Sequence, residues 1–188
     1  MRGTQGKRVK AMHISTLIFT GIIVAICVLA TLPFIMVLGK DAPFVTMPYD
    51  TVDRVMTLAG IGPGDVFYDL GSGDGRLVIA AARRGAKAVG IELTRVRIWY
   101  SRVLIKLAGV SSRAEIRRED FFAADISDAT VVHLYLLTET HEKLKDKFLK
   151  ELPVGTRVVA TGFPIPGMKL IAENPEGTYY GPIRLYVV

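Results

Sequence analysis

The sequence predicts a doubly wound α/β domain with a mostly parallel sheet, preceded by one transmembrane helix. Three observations carry this. A strand within Asp65 to Leu70 ends in glycines at alternate positions, Gly71, Gly73 and Gly75, and runs into an apolar helix. A second strand ends in an acid, Glu92, seventeen residues after Gly75. An uncharged apolar run extends from Ile14 to Gly39. Strands alternating with helices imply a sheet covered on both faces.

At 188 residues the chain holds one domain and an appendage. Residues 1–13 form a basic tail, in which Arg2, Lys7, Arg8 and Lys10 meet no acid. Of the 24 Lys and Arg, four lie in this tail, leaving 20 against 18 acids in the rest. The high pI therefore belongs to the tail, and the domain lacks the cationic excess that nucleic-acid binding needs. Residues 14–39 form the span: as a helix they reach roughly 39 Å at ~1.5 Å per residue, against ~30 Å of hydrocarbon. A cleaved signal peptide has a shorter apolar region and a small-residue cleavage site, for which only Val37-Leu38-Gly39 offers a weak candidate. A basic, acid-free N-terminus also suits mitochondrial targeting. Cys27, the sole cysteine, lies inside the run, which excludes an intrachain disulfide or a cysteine metal site.

Residues 40–49 form a linker stiffened by Pro43 and Pro48. The domain, residues 50–188, opens with a helix from Asp50, carrying Val52, Val55, Met56 and Leu58 at helical spacing and ended by Gly60. Val66, Phe67 and Tyr68 suit a buried strand. The glycines after it permit positive φ and close approach of a ligand to the backbone. Leu77 to Ala82 is the following helix, and Ala88 to Leu93 the second strand.

The glycine spacing separates two cofactor classes. A dinucleotide site uses G-x-G-x-x-G with a helix N-terminus aimed at pyrophosphate. Here the pattern is G-x-G-x-G, with Ser72 inside it and Asp69 just before it. Asp69 repels a pyrophosphate and suits the cationic amino acid end of S-adenosyl-L-methionine, while Glu92 suits ribose hydroxyls. The expected site is the crevice between the first two parallel strands. The alternative is a sharp strand-to-helix turn without a ligand. S-adenosylmethionine is a cytosolic (or matrix) metabolite, so an active domain lies on the cytoplasmic (or matrix) side, whereas the positive-inside rule points the other way.

A cationic helix follows from Val96 to Gly109, then a third strand at Ala114-Glu115-Ile116. Asp120 and Phe121 beyond it suit the adenine amino group and ring; otherwise they belong to a solvated loop. Ala129 to Leu137 reads as a fourth, fully buried strand, Glu142 to Glu151 as a charged helix, and Arg157 to Thr161 as a fifth strand. A proline-rich loop, Phe163 to Gly167, leads to closing strands around Met168 to Ala172 and Ile183 to Val188. His133 reads as a core residue, and His141, placed in a loop, as the one acid–base candidate. No His/Cys/carboxylate cluster has metal-ligand spacing, so no metal is expected.

Asp69 to Arg76 with Glu92 resembles the class I S-adenosylmethionine-dependent methyltransferases. Pro43 to Pro48, Trp99 to Arg102, Asp128 to Thr140 and Leu152 to Pro166 resemble, more narrowly, one family of protein-lysine methyltransferases. That family includes membrane-anchored mitochondrial enzymes for the ATP synthase c-subunit and the adenine nucleotide translocase, and broad-specificity archaeal enzymes. The resemblance implies that Asp69, Gly71, Ser72, Gly73 and Gly75 cradle the methionine moiety, Glu92 the ribose, and Asp120 with Phe121 the adenine. Pro43-Phe44-Val45 resembles the family's Pro-Tyr-Val, which would lay Phe44 and Val45 over the cofactor without the tyrosine hydroxyl. Leu136-Leu137-Thr138 replaces the Asn/Asp-Pro-Pro-Tyr of base- and amide-modifying enzymes, which disfavours those acceptors. Tyr135 and Thr138 are the candidates nearest the acceptor. The implied partner is a protein presenting a lysine at the membrane, with residues 14–39 contacting lipid; a lipid, quinone or other small apolar acceptor, and a non-catalytic binding protein, are the alternatives.

Overall fold

The computed structural model describes residue 13, residues 16–28, residue 31, residues 46–175 and residues 181–188. The chain divides between Phe44 and Val45 into two units. In the first, residues 16–28 are helical, and Leu17, Phe19, Val24 and Ile26 are among their exposed apolar side chains. The other residues of 14–39, apart from Thr31, lie outside the described residues, as do Phe44 and Val45. Among the described residues no helix is long and apolar enough to cross a membrane.

The second unit runs α1 (Tyr49–Leu58), β1 (Val66–Leu70), α2 (Arg76–Arg83), β2 (Lys87–Ile91), α3 (Arg95–Leu107), β3 (Ala114–Arg117), β4 (Val131–Leu134), α4 (Thr138–Glu151), β5 (Arg157–Thr161), β6 (Leu170–Asn174) and β7 (Ile183–Val187). These seven strands form one sheet in the order β3-β2-β1-β4-β5-β7-β6. The first five are parallel, and β7 runs antiparallel to both neighbours. This is the Rossmann-like class I methyltransferase fold.

Alternation along each strand divides the apolar residues between two cores. Phe67, Ala88 and Val131 pack with Val55 and Met56 of α1, Val78 of α2 and Ile98 of α3. Tyr68, Val89 and Val132 pack on the other face with Leu144 and Phe148 of α4. Burial on both faces is why these strands read as continuous apolar runs. At the amino end of β1, Arg157 donates to the carbonyls of Ala59 and Gly60 and pairs with Asp65, which also accepts from Thr130 Oγ1 at 2.8 Å. Those ties close the sheet opposite the glycine turn.

Several boundaries differ from expectation. β2 ends at Ile91, so Glu92 stands one residue past the strand and Leu93 is exposed. β4 stops at Leu134 rather than Leu137, where its pairing with β1 and β5 ends at Leu70 and Ala160. α4 begins at Thr138, so His141 is helical and not in a loop. β6 is Leu170–Asn174, with a register shift against β7 between Leu170 and Ala172. The strand order reverses between β1 and β4, which puts the switch point of the sheet beside β1.

Candidate active site

The turn after β1 is fastened to the end of β2. The Gly71 and Ser72 amides donate to the Ile91 carbonyl at 2.9 and 3.0 Å, and the Gly75 amide to Ser72 O at 2.8 Å. Gly71, Gly73 and Gly75 have φ of 83°, 54° and 77°, the left-handed region that side chains avoid. A Cβ on Gly75 would also lie 3.0 Å from the Ser101 Cβ of α3. Arg76 grips Asp74 through both carboxylate oxygens, donates to the Met47 carbonyl and sits 5.3 Å from the Tyr49 ring centroid. The residues just before α1 are thereby held against the turn.

Two carboxylates flank it. Asp69 is buried, and its Oδ1 lies 2.8 Å from His133 Nδ1; His133 Nε2 lies 3.1 Å from Thr161 Oγ1. This chain crosses β1, β4 and β5 at their carboxyl ends. Asp69 Oδ2 is buried with no hydrogen-bond partner. Glu92 is also buried: Oε2 accepts from the Gly73 amide at 3.1 Å and Oε1 from the Thr94 amide at 2.8 Å, with Arg97 Nη1 3.8 Å away. An ionised carboxylate has about four acceptor sites, so two amides leave capacity for ribose hydroxyls. Ser72 Oγ is a second buried atom without a partner.

The remaining candidates ring the same edge. Asp120 follows β3 and accepts from the Phe122 amide at 2.9 Å through Oδ1. Phe121 is half-buried against the α4-side core, its ring centroid 4.8 Å from that of the more exposed Phe122. Tyr135, just past β4, packs against the other core, and Thr138 is the first residue of α4. Leu136 reaches over the turn: a Cβ on Gly71 would lie 3.4 Å from its Cδ2.

His141 is not the exposed acid–base group its sequence context suggests. It is fully buried, its Nε2 accepts from the Leu136 amide at 3.3 Å and its Nδ1 donates to the Pro164 carbonyl at 3.0 Å. Both nitrogens are used by a neutral ring, which ties the segment after β4 to the proline-rich loop. Burial pushes its pKa below the usual value, with the nearby His133 acting in the same direction. The unfolded chain takes up this proton near pH ~6.5 and the folded protein only at lower pH. His141 therefore supports full stability above that pH, and stability falls as the solution is acidified through it. Melting curves at pH 7.5 and 5.5 should show a smaller acid-induced loss in His141→Gln than in the wild type.

His133 is the buried core residue its strand suggests; what the sequence does not show is its pairing with Asp69 and Thr161, or the place of Arg97 beside Glu92. A histidine inside an apolar strand was the one available signal, and its partner depends on strand order.

The residues fit S-adenosylmethionine. A buried carboxylate oxygen without a donor is costly, and an ammonium beside Asp69 Oδ2 relieves that cost. A pyrophosphate would instead meet two buried carboxylates. An acid-flanked glycine turn at the switch point of this sheet defines a class I S-adenosylmethionine-dependent methyltransferase, and the protein is an enzyme of that class. The sequence profile of the ANTKMT methyltransferase domain matches residues 69–172. The chain is 42% identical over 150 residues to a protein-lysine N-methyltransferase of Saccharolobus islandicus, covering 78% of this chain and 93% of that one. It is 36% identical over 142 residues to the adenine nucleotide translocase lysine N-methyltransferase of Mus musculus, covering 75% of this chain and 62% of that one. A solved structure described as an RNA methyltransferase from Salinibacter ruber, with S-adenosyl-L-homocysteine, superposes with a TM-score of 0.73 at 40% identity, covering 76% of this chain and 93% of that one. The chain belongs to the ANTKMT methyltransferase domain family.

Proposed function

We propose that the enzyme is a protein-lysine N-methyltransferase acting on membrane or membrane-proximal proteins, with residues 14–39 as a single-pass anchor and the catalytic domain on the cytoplasmic (or matrix) side. The observation that carries the acceptor class is the 42% identity to a protein-lysine N-methyltransferase over nearly its whole length. The apolar run from Ile14 to Gly39 supports the anchor.

Asp69 would take the cofactor's ammonium, the backbone of Gly71, Ser72, Gly73 and Gly75 its methionine end, and Glu92 its ribose. Asp120 and Phe121 would take the adenine, and Phe44 and Val45 would cover the site. When bound, S-adenosylmethionine supplies an electrophilic methyl group to an unprotonated amine. A lysine with pKa ~10.4 loses its proton at a cost of about 4–5 kcal/mol at neutral pH. Leu136 and Leu137 make the acceptor edge apolar, which disfavours the charged amine. Alignment by Tyr135 and Thr138 would supply part of the barrier reduction as lost orientational freedom. No dedicated base is needed, and water can take the proton.

The Salinibacter structure's description favours a second reading, an RNA acceptor. The near balance of 20 basic and 18 acidic residues outside the tail counts against it. The deciding experiment incubates purified full-length protein with labelled S-adenosylmethionine and the host's membrane and RNA fractions. Methyl-lysine in the protein hydrolysate is expected. Label in RNA or in the organic extract would replace the acceptor class, and cofactor binding without any label transfer would replace catalysis by binding alone.

A further inference from the structure

α3 carries four cations, Arg95, Arg97, Arg102 and Lys106, and no acid. Arg97 turns inward toward Glu92. The other three share the outer face with Trp99, Val103 and Leu107, which are 61%, 36% and 78% exposed. On a helical wheel these six positions fall within roughly 140°. Three large apolar side chains at i, i+4 and i+8 stand outside both core clusters of the described residues, while Ile98 and Ile105 on the opposite face fill the core. Beside this face a groove of about 360 Å³ is lined by Arg102, Lys106, Ile105, Ala114, Ile116 and one acid, Glu115, among others. Arg102 is fixed there by donating to the Ile116 carbonyl at 2.8 Å.

We propose that the outer face of α3 is a docking surface for an anionic lipid bilayer. An interfacial helix sinks aromatic and aliphatic side chains to the level of the headgroups while its Lys and Arg meet phosphate. Trp99 is the residue type that favours that depth. Charge selects the occupant: a second copy would set three cations against three, and the tail's Arg2, Lys7, Arg8 and Lys10 carry the same sign. A bilayer with anionic lipid offers both apolar depth and negative charge. The inference rests on the reading that residues 14–39 hold the chain in a membrane, which raises the effective concentration of lipid at the domain. α3 starts three residues after Glu92, so docking would turn the cofactor edge toward acceptors at the membrane surface.

Trp99 is the only tryptophan, so its emission reports on this face alone. The full chain is reconstituted into nanodiscs of phosphatidylcholine with or without phosphatidylglycerol, and emission and quenching by brominated acyl chains are recorded. Blue-shifted emission and quenching are expected only with phosphatidylglycerol, reversed by high salt. Lys106→Gln should lower the ratio of docked to undocked domain about five-fold, and Arg95→Glu with Lys106→Glu should abolish docking. Identical spectra in both lipids overturn the proposal, as does a shift that tracks protein concentration instead of lipid charge, which would indicate a second copy. A shift produced by added RNA, and not by lipid, overturns it in favour of a nucleic-acid face. A chain that does not enter the discs overturns the anchor, whereas entry without quenching overturns docking alone. Cofactor binding measured in the same discs reports separately on the methyltransferase reading.

Discussion

Asp69→Asn is expected to weaken S-adenosylmethionine binding by about 10- to 100-fold, the equivalent of losing one charge-assisted hydrogen bond, without lowering the melting temperature. In the free protein Asp69 holds one oxygen on His133 and leaves the other buried and unpaired. Asparagine keeps the shape. Its carbonyl can still accept from His133 Nδ1, which turns the amide NH2 into the space of the orphan oxygen. A negative acceptor is thereby replaced by a neutral donor where a cation must dock. Removal of a buried, half-satisfied charge tends to stabilise the unliganded fold. Affinity and stability should move in opposite directions, read by titration calorimetry and by melting curves with and without cofactor. The upward melting shift that saturating cofactor gives the wild type should shrink with the affinity. A variant that melts lower in proportion to its lost affinity would make Asp69 a folding residue that only borders the site.

The half of the site that is local in the chain was legible from the sequence. Asp69, the three glycines and Glu92 are brought together by a strand, a turn and the next parallel strand, and the glycines' positive φ is a geometry that a side chain would violate. Partners set by strand order were not legible. His133 meets Asp69 because β4 lies beside β1, and nothing within ten residues of either encodes that adjacency. Thr161 enters the same chain through β5 for the same reason. The end of β4 differs from expectation because Leu136 and Leu137 look like strand residues, yet the partners on both sides run out at Leu70 and Ala160. His141 reads as a loop residue because Thr138 and Thr140 before it are weak helix formers. Tertiary bonds from Leu136 and to Pro164 hold its ring within the first turns of α4.

Gly90→Ala should be among the most disruptive single-methyl changes in the domain, although Gly90 is outside the turn and has an ordinary φ. A Cβ there would lie 2.6 Å from Ser72 Oγ, 2.7 Å from Ser72 Cβ and 2.6 Å from Ile116 Cδ1. Ile116 presents the end of a flexible side chain and can rotate. Ser72 cannot retreat cheaply, since its amide is bonded to Ile91 O and its carbonyl accepts from Gly75. Overpacking of this kind costs about 1–3 kcal/mol, a fall of roughly 3–10 °C in melting temperature for a domain of this size. Because the displaced element is the turn itself, cofactor affinity should fall with it. The contact can be tested by rescue. Ser72→Gly removes both Ser72 atoms and deletes a hydroxyl that has no partner, so alone it should cost little beyond backbone entropy. In the double variant Gly90→Ala/Ser72→Gly most of the lost stability should return. A double variant as unstable as Gly90→Ala alone would show that the damage arises at Ile116 or within β2, and that the turn does not rest on the absence of a side chain at position 90.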